Sequence, residues 1–364
     1  MEWGPTASIM PIPFVTVLID TYNHQFFIED AINSVLRQDF PASETEILVV
    51  DDGSTDTTPE VVRKFAPRVR LLRKVNGGQA SAFNAGIPEA RGELVAFLDG
   101  DDWWAPNKLT AVAEAFAADN DIGLVGHGVT EVYPDGRQRT EVLRENCRFR
   151  ITSSEEAKKF RMRRGFLGTS RMAYRRELLR RIGSVPESLK FEADEYLFTL
   201  AGLFADVVVL ARSFTFYRLH EGNLFQLTGG DTQAVRRKQQ VLAALAQSLG
   251  DKLKKSEVPP EVARTILESV EVEADLLRLV VDSGFPWETV STELKIMRVF
   301  HSDASIWQHL FSCIRLIPAL LLPARTYYRW RHQLSLLAFY QHVRRKLLPF
   351  PVPAHVERRE KPAP

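Results

Sequence analysis

Short apolar runs alternate with amphipathic stretches through the first hundred positions, and most of the runs stop at polar or acidic residues. Residues 14–19, Phe-Val-Thr-Val-Leu-Ile, are rich in β-branched side chains and predict a buried strand, ended by Asp20-Thr21-Tyr22-Asn23. Ile28, Ala31, Ile32, Val35 and Leu36 recur at helical spacing. Residues 47–50 predict a second strand, ended by Asp51-Asp52-Gly53-Ser54-Thr55-Asp56, and 59–65 a helix with Pro59 at a tolerated first position. A short strand over 69–72, a loop at Asn76-Gly77-Gly78-Gln79, and a helix over 81–87 follow. Residues 94–98 are a fourth strand, closed by Asp99-Gly100-Asp101-Asp102. This rhythm predicts an α/β, Rossmann-like, mostly parallel sheet with helices on both faces.

Beyond it, 103–117 predicts a helix with Trp104, Leu109, Val112 and Phe116 facing inward, and 122–132 a strand in which His127 is a core histidine. The basic run 161–164 predicts a solvated face. From Asp231 onward the pattern turns helical, over 234–249, 259–282 and 287–300. Residues 305–322 are apolar but interrupted by Arg315 and Pro318, and Arg325, Tyr327, Tyr328, Arg329, Trp330 and Arg331 follow. That mixture suits the headgroup level of a lipid surface, a peripheral membrane contact through 305–331, rather than a span. The expected organisation is a domain over 12–225, a C-terminal helical extension over 231–348, and a disordered Pro- and charge-rich tail over 349–364.

Composition narrows the classes. A net charge of +1 gives no global electrostatic case for nucleic acid. The two cysteines, Cys147 and Cys313, make no metal spacing and no disulfide framework, and residues 1–10 lack a leader pattern. Both favour a reducing, cytoplasmic setting.

The candidate chemistry lies at the strand ends. Three strands finish in carboxylates, and in parallel sheets ligands bind beyond the carboxyl ends. Asp99, Asp101 and Asp102 repel one another unless a cation or hydrogen-bond donors sit among them. Carboxylate oxygens suit Mg²⁺ or Mn²⁺, with substrate phosphates completing the shell. Gly100 lets the backbone turn. A nucleotide satisfies these strand ends together. No Gly-x-Gly-x-x-Gly follows the first strand and no Gly-x-x-x-x-Gly-Lys-Ser/Thr occurs, which argues against a dinucleotide enzyme and against a P-loop ATPase.

Val-Thr-Val-Leu-Ile-Asp-Thr-Tyr-Asn (15–23), Ile-Leu-Val-Val-Asp-Asp-Gly-Ser-Thr-Asp (47–56), Asn-Gly-Gly-Gln-Ala-Ser-Ala-Phe-Asn-Ala-Gly (76–86) and Ala-Phe-Leu-Asp-Gly-Asp-Asp (96–102) resemble the family 2 glycosyltransferases of the GT-A fold. Asp20 departs from the family, which usually carries Pro there. The resemblance implies an inverting, metal-dependent enzyme acting on a nucleotide-diphospho-sugar, UDP-linked, and on a saccharide or lipid-linked saccharide acceptor in cell-surface polysaccharide biosynthesis. It implies that Thr21, Tyr22 and Asp52 hold the base, with Asp51 supporting the loop. Asn76, Gly77, Gly78 and Asn84 would lie along the nucleotide and its sugar, Asp99 at the ribose, and Asp101 on a divalent cation, Mn²⁺ or Mg²⁺. Asp99 and His220 are further candidate cation contacts, and Asp102 ranks lower. Phe191-Glu192-Ala193-Asp194-Glu195 resembles the stretch bearing the catalytic base, with Asp194 at the base position and Glu195 or Glu192 able to replace the carboxylate lost at Ala193. A sugar hydroxyl is a poor nucleophile, so a carboxylate in reach must take its proton. Two rivals are a nucleotidyltransferase, which would normally show a Gly-rich basic loop after the first strand, and a sugar-nucleotide-binding protein without activity.

Overall fold

The computed structural model describes residues 14–163, 167–220, 223, 232–282, 285–300, 316–328, 330 and 354–356. These residues divide into two compact units. The first holds the residues up to Arg150, those from Leu167 to His220, and 354–356; the second holds Ile151 to Arg163 and Asn223 to Trp330.

The first unit is built on one mixed sheet. Strands β1 (Val15–Thr21), β2 (Thr45–Asp51), β3 (Val69–Arg73) and β4 (Leu94–Asp99) lie parallel in the order β3-β2-β1-β4. Helices α1 (Ile28–Leu36), α2 (Thr58–Arg63) and α3 (Gln79–Glu89) make the crossovers. Strand parity assigns the faces. Val15, Val17 and Ile19 share one core with Ile47, Val49, Ala96 and Leu98, and with Ile28, Ile32 and Val35 of α1. Leu18 and Val50 point the other way, where α3 approaches so closely that a Cβ on Gly86 would stand 2.6 Å from Leu18.

After β4 the parallel rhythm stops. Strand β9 (Met172–Arg175) pairs antiparallel with β4 and with β6 (Ile122–Val132). Beyond β6 lie β7 (Gln138–Val142), antiparallel, and β10 (Asp206–Arg218), parallel, with β8 (Cys147–Phe149) antiparallel to β10. The parallel rhythm expected from the sequence builds its N-terminal half, and β6 with β10 parallel to it and β7 and β9 antiparallel to it completes the mixed sheet. Residues 103–117 are not one helix. Trp103–Trp104 form strand β5, antiparallel to β10, and α4 begins only at Lys108, running to Ala117. The indole of Trp104 is still buried, as its apolar bulk demands. His127 is fully buried beside the Phe214 ring, its Nδ1 2.8 Å from the Gly128 carbonyl. Helices α6 (Arg176–Ile182) and α7 (Ala193–Phe204) complete the unit's back.

In the second unit, α5 (Ser154–Arg163) packs on α9 (Pro260–Asp282), which also contacts α8 (Thr232–Leu253) and α10 (Pro286–Phe300). The solvated face expected for the basic run fails at Arg161. This side chain is buried and lies 3.7 Å from Glu273 of α9. A buried guanidinium needs such a carboxylate partner. Of 305–331, residues 316–328 and 330 are described, including α11 (Leu316–Leu321). Of the tail 349–364, only 354–356 is described, and it is a strand, β11 (Ala354–Val356), paired antiparallel with β7. Alternation of small apolar and polar residues is compatible with an added edge strand. Residues 1–10 and Arg164 lie outside the described residues.

Candidate active site

The carboxyl ends of β1, β2 and β4 meet because their registers align. Asp20 faces Asp99 across the β1–β4 pair, and Thr21 faces Asp51 across β1–β2. The loop after β1 is braced on the loop after β2. Asn23, in the left-handed region at φ 57°, accepts from the Thr55 amide at 2.8 Å, and the His24 amide donates to Thr58 Oγ1 at 2.9 Å. This leaves Tyr22 44% exposed, a free aromatic face beside a buried Thr21.

Asp52 is buried and does local work. Its carboxylate accepts from the Gly77 amide (3.0 Å), the Gly78 amide (2.7 Å) and Lys74 Nζ (2.6 Å). Gly78, at φ 85°, can present its N–H this way because it carries no side chain. Asp51 accepts from the Ser54 amide at 2.9 Å and pairs with Arg73. Asn76 is exposed at the rim. Asn84 lies on α3 and is half-buried. Its Nδ2 donates to the Val185 carbonyl (2.7 Å) and its Oδ1 accepts from the Val185 amide (2.8 Å), a staple between α3 and the loop before α7.

The β4 loop concentrates the charge. Asp101 Oδ2 lies 3.0 Å from His220 Nε2 and 3.9 Å from His24 Nε2. Burial pushes the Asp101 carboxyl up, but the His220 hydrogen bond and the two imidazoles prevail and hold it below the ordinary range. Asp99 is raised well above that range by burial and then by Asp20. Asp102 is also raised, by burial first, and its Oδ1 accepts from the Arg218 amide at 3.1 Å. It thus ties the loop to the end of β10. Arg218 adds a bond from Nε to the Asp101 carbonyl (3.1 Å), and its guanidinium lies 4.5 Å from the Trp103 ring centre. Asp20 is pushed up to about 8 by burial and by Asp101, and its Oδ1 has no hydrogen-bond partner among the described residues.

Asp194 opens α7. Its Oδ1 accepts from the Glu195 amide (2.8 Å) and its Oδ2 from the Thr169 hydroxyl (3.2 Å). Burial raises its pKa. The next residue, Ser170, donates from Oγ to Asp99 Oδ2 at 3.2 Å and accepts from the Asp99 amide at 3.0 Å. Two consecutive hydroxyls therefore join the two acidic centres. The Ser170 carbonyl is itself anchored by Trp104 Nε1 (3.0 Å), Lys108 Nζ (2.7 Å) and Thr215 Oγ1 (2.6 Å). Gln79 completes the frame, donating to Thr169 Oγ1 (2.9 Å) and accepting from the Ala193 amide (3.2 Å). The sequence pattern did not single out His24, Gln79, Lys108, Thr169 or Ser170. The one available signal was the Thr-Ser pair in the turn Thr169–Arg171 that leads into β9.

A hard divalent cation fits this donor set. The Asp99–Asp101 loop is crowded with carboxylates, and the buried Asp20 Oδ1 is orphaned, so positive charge is short there. Among the described residues no three His, Cys, Asp or Glu form a ready cage.

Sequence comparison matches residues 16–183 to the profile described as glycosyl transferase family 2. Residues 16–183 are a glycosyl transferase family 2 domain. An uncharacterized glycosyltransferase of Nostoc sp. (strain PCC 7120) is 34% identical over 218 residues, covering 57% of this chain and 66% of that one. The uncharacterized glycosyltransferase EpsJ of Bacillus subtilis is 33% identical over 189 residues, covering 50% and 54%. The chain thus spans between half and two thirds of these relatives. Among solved structures, S. aureus TarS superposes with a TM-score of 0.55 at 20% identity, over 79% of this chain and 53% of that one. TarS 1–349 in complex with UDP-GlcNAc gives 0.50 at 23%, over 79% and 89%. The family 2 domain has the GT-A fold, with helices following it.

Proposed function

We propose that this family 2 domain transfers a hexosyl group from a nucleotide-diphospho-sugar, UDP-linked, to a saccharide or lipid-linked saccharide acceptor, inverting the anomeric centre. The observation that carries the reading is the Thr169–Ser170 pair, which holds Asp194 and Asp99 on neighbouring hydroxyls. A base and a nucleotide loop held by one rigid turn suit an acceptor seated between them. TarS, named as a poly(ribitol-phosphate) β-N-acetylglucosaminyltransferase, is 39% identical over 92 residues, and its UDP-GlcNAc complex supports a UDP-linked donor.

Tyr22 would stack on the base and Thr21 flank it, while Asp52 fixes the Gly77–Gly78 turn along the nucleotide and accepts from the base at its remaining lone-pair positions. Asp99 would meet the ribose. Asp101, with Asp99 and His220, would hold Mn²⁺ or Mg²⁺, and the cation would supply charge neutralisation for the departing diphosphate. Asp194 would take the proton from the attacking hydroxyl. Its raised pKa makes it a stronger base than an exposed carboxylate. Glu195 adds negative charge next to it. Attack opposite the diphosphate needs no covalent nucleophile. The setting would be cell-surface polysaccharide biosynthesis, with residues 305–331 in peripheral contact with the cytoplasmic face of the inner membrane.

The test is release of nucleoside diphosphate from a panel of nucleotide-sugars with Mn²⁺, by wild type and Asp194→Asn. Loss of turnover with retained UDP binding is expected. Undiminished turnover in Asp194→Asn would remove the assigned base.

A further inference from the structure

Gln79 opens α3 directly after the Gly77–Gly78 turn, whose amides Asp52 holds. Its amide donates to the Lys190 carbonyl at 3.1 Å, and its side chain bonds Thr169 and Ala193, 90 and 114 positions away.

The bonds around Thr169 run in one direction only. The Ala193 amide can only donate, so it must meet the Gln79 oxygen, at 3.2 Å. The other end of the Gln79 carboxamide, Nε2, therefore faces Thr169, and it too can only donate (2.9 Å). The Thr169 oxygen is an acceptor on that side, and its one hydrogen is left for Asp194 Oδ2 at 3.2 Å. Thr169 is buried, so solvent does not compete for the hydroxyl. Ser170 follows the same rule. Its oxygen accepts from the Asp99 amide at 3.0 Å and its hydrogen goes to Asp99 Oδ2 at 3.2 Å.

Direction matters at Asp194. Its Oδ1 already accepts from the Glu195 amide at 2.8 Å. A second donor, on Oδ2, favours the ionised carboxylate, the form that can take a proton. With the hydroxyl reversed, the Thr169 oxygen would aim a lone pair at Oδ2 and favour the protonated form.

We propose that Gln79 is a positioning residue for the base: it sets the direction of the Thr169 hydroxyl and so presents a hydrogen-bond donor to Asp194. This rests on the reading of Asp194 as the base and adds the group that readies it.

Two near-isosteric variants separate this role from a merely structural tie. Gln79→Met loses both side-chain bonds but leaves the Thr169 hydrogen free to stay on Asp194. Gln79→Glu, ionised at about pH 8, keeps an acceptor for the Ala193 amide but turns a second acceptor toward Thr169, which draws the hydroxyl hydrogen off Asp194. Both are made with Thr169 present and with Thr169→Val, and are compared for melting temperature, UDP binding, kcat and the acid limb of kcat/KM. The other titratable groups that act on Asp194, namely Glu195, Asp20, Asp99, Arg171 and Tyr174, are the same in all of them.

The expected result is a kcat about tenfold lower in Gln79→Glu, with the limb moved to higher pH, and within about threefold of wild type in Gln79→Met, with the limb in place. The loss in Gln79→Glu should largely vanish when Thr169 is already Val. A structural tie predicts the opposite order, because Glu keeps a bond to each partner and Met to neither. A kcat in Gln79→Met at or below that of Gln79→Glu overturns the proposal. So does a Gln79→Glu loss that persists undiminished with Thr169→Val, since the added charge alone would then explain it. Thr169→Ser retains the hydroxyl and should keep the wild-type limb, and a displaced limb there overturns the proposal even where Gln79→Glu does not fold. Turnover retained in Asp194→Asn removes the base reading itself. Turnover lost there, with the order of the Gln79 variants reversed, removes only the role of Gln79.

Discussion

His220 Nε2 stands 3.0 Å from Asp101 Oδ2, joining the end of the β10 segment to the loop after β4 across 119 positions of sequence. The imidazole offsets the burial penalty on Asp101 and keeps that carboxylate ionised while its neighbours are pushed toward the neutral form. Asp101→Asn is expected to lower Mn²⁺-dependent donor turnover by about 10²–10³-fold, and His220→Ala by less. Mn²⁺ titration of turnover checks both, and an unchanged Mn²⁺ dependence in Asp101→Asn would refute the assignment.

The pH profile reports on Asp194. Burial raises its carboxyl above the ordinary value of 3.8, so the acid limb of kcat/KM should lie above that pH and rate should rise as the base ionises. The Thr169 hydroxyl lowers this pKa by bonding the carboxylate. Thr169→Val should therefore move the limb to higher pH. An unmoved limb would mean that another group limits the profile.

Asp20 governs a stability trend. Its pKa is raised from 3.8 in the ordinary state to about 8 in the fold, so the folded chain binds a proton that the unfolded chain releases. Its contribution is then present at low pH and lost as pH rises from about 4 to about 8. The ligand-free melting temperature should fall across this window, less so in Asp20→Asn, which cannot ionise. Scanning calorimetry at several pH values decides it, and parallel slopes in both proteins would exclude Asp20 as the source.

Gly100 is required by space. A Cβ there would stand 2.6 Å from Thr21 Oγ1 and 2.9 Å from His24 Nδ1. Gly100→Ala should cost about 1–3 kcal/mol of stability and weaken UDP binding by displacing Thr21. Chemical denaturation and calorimetry measure the two effects, and a neutral variant would show that the loop yields freely.

Much of this protein is local in origin. The four short apolar runs specify β1 to β4 because a strand needs only a few β-branched residues, and their acidic ends read directly from the chain. The segment 103–117 misled because Trp-Trp fits a helical stripe as well as a strand. Pairing with β10, which begins about a hundred positions later, decides between them.

The same division holds at the site. Sequence alone determined which carboxylates stand at the strand ends, since the motifs around Asp52, Asp99 and Asp101 are contiguous. Tertiary structure alone decided what each side chain does. Asp52 gathers the 77–78 turn, Asn84 staples Val185, and Lys108 lies wholly buried with its Nζ on the Ser170 carbonyl. Each of those partners lies far away in sequence, and a polar group's role depends on which donors and acceptors the fold brings within about 3 Å. Residue type and spacing carry no record of that distance.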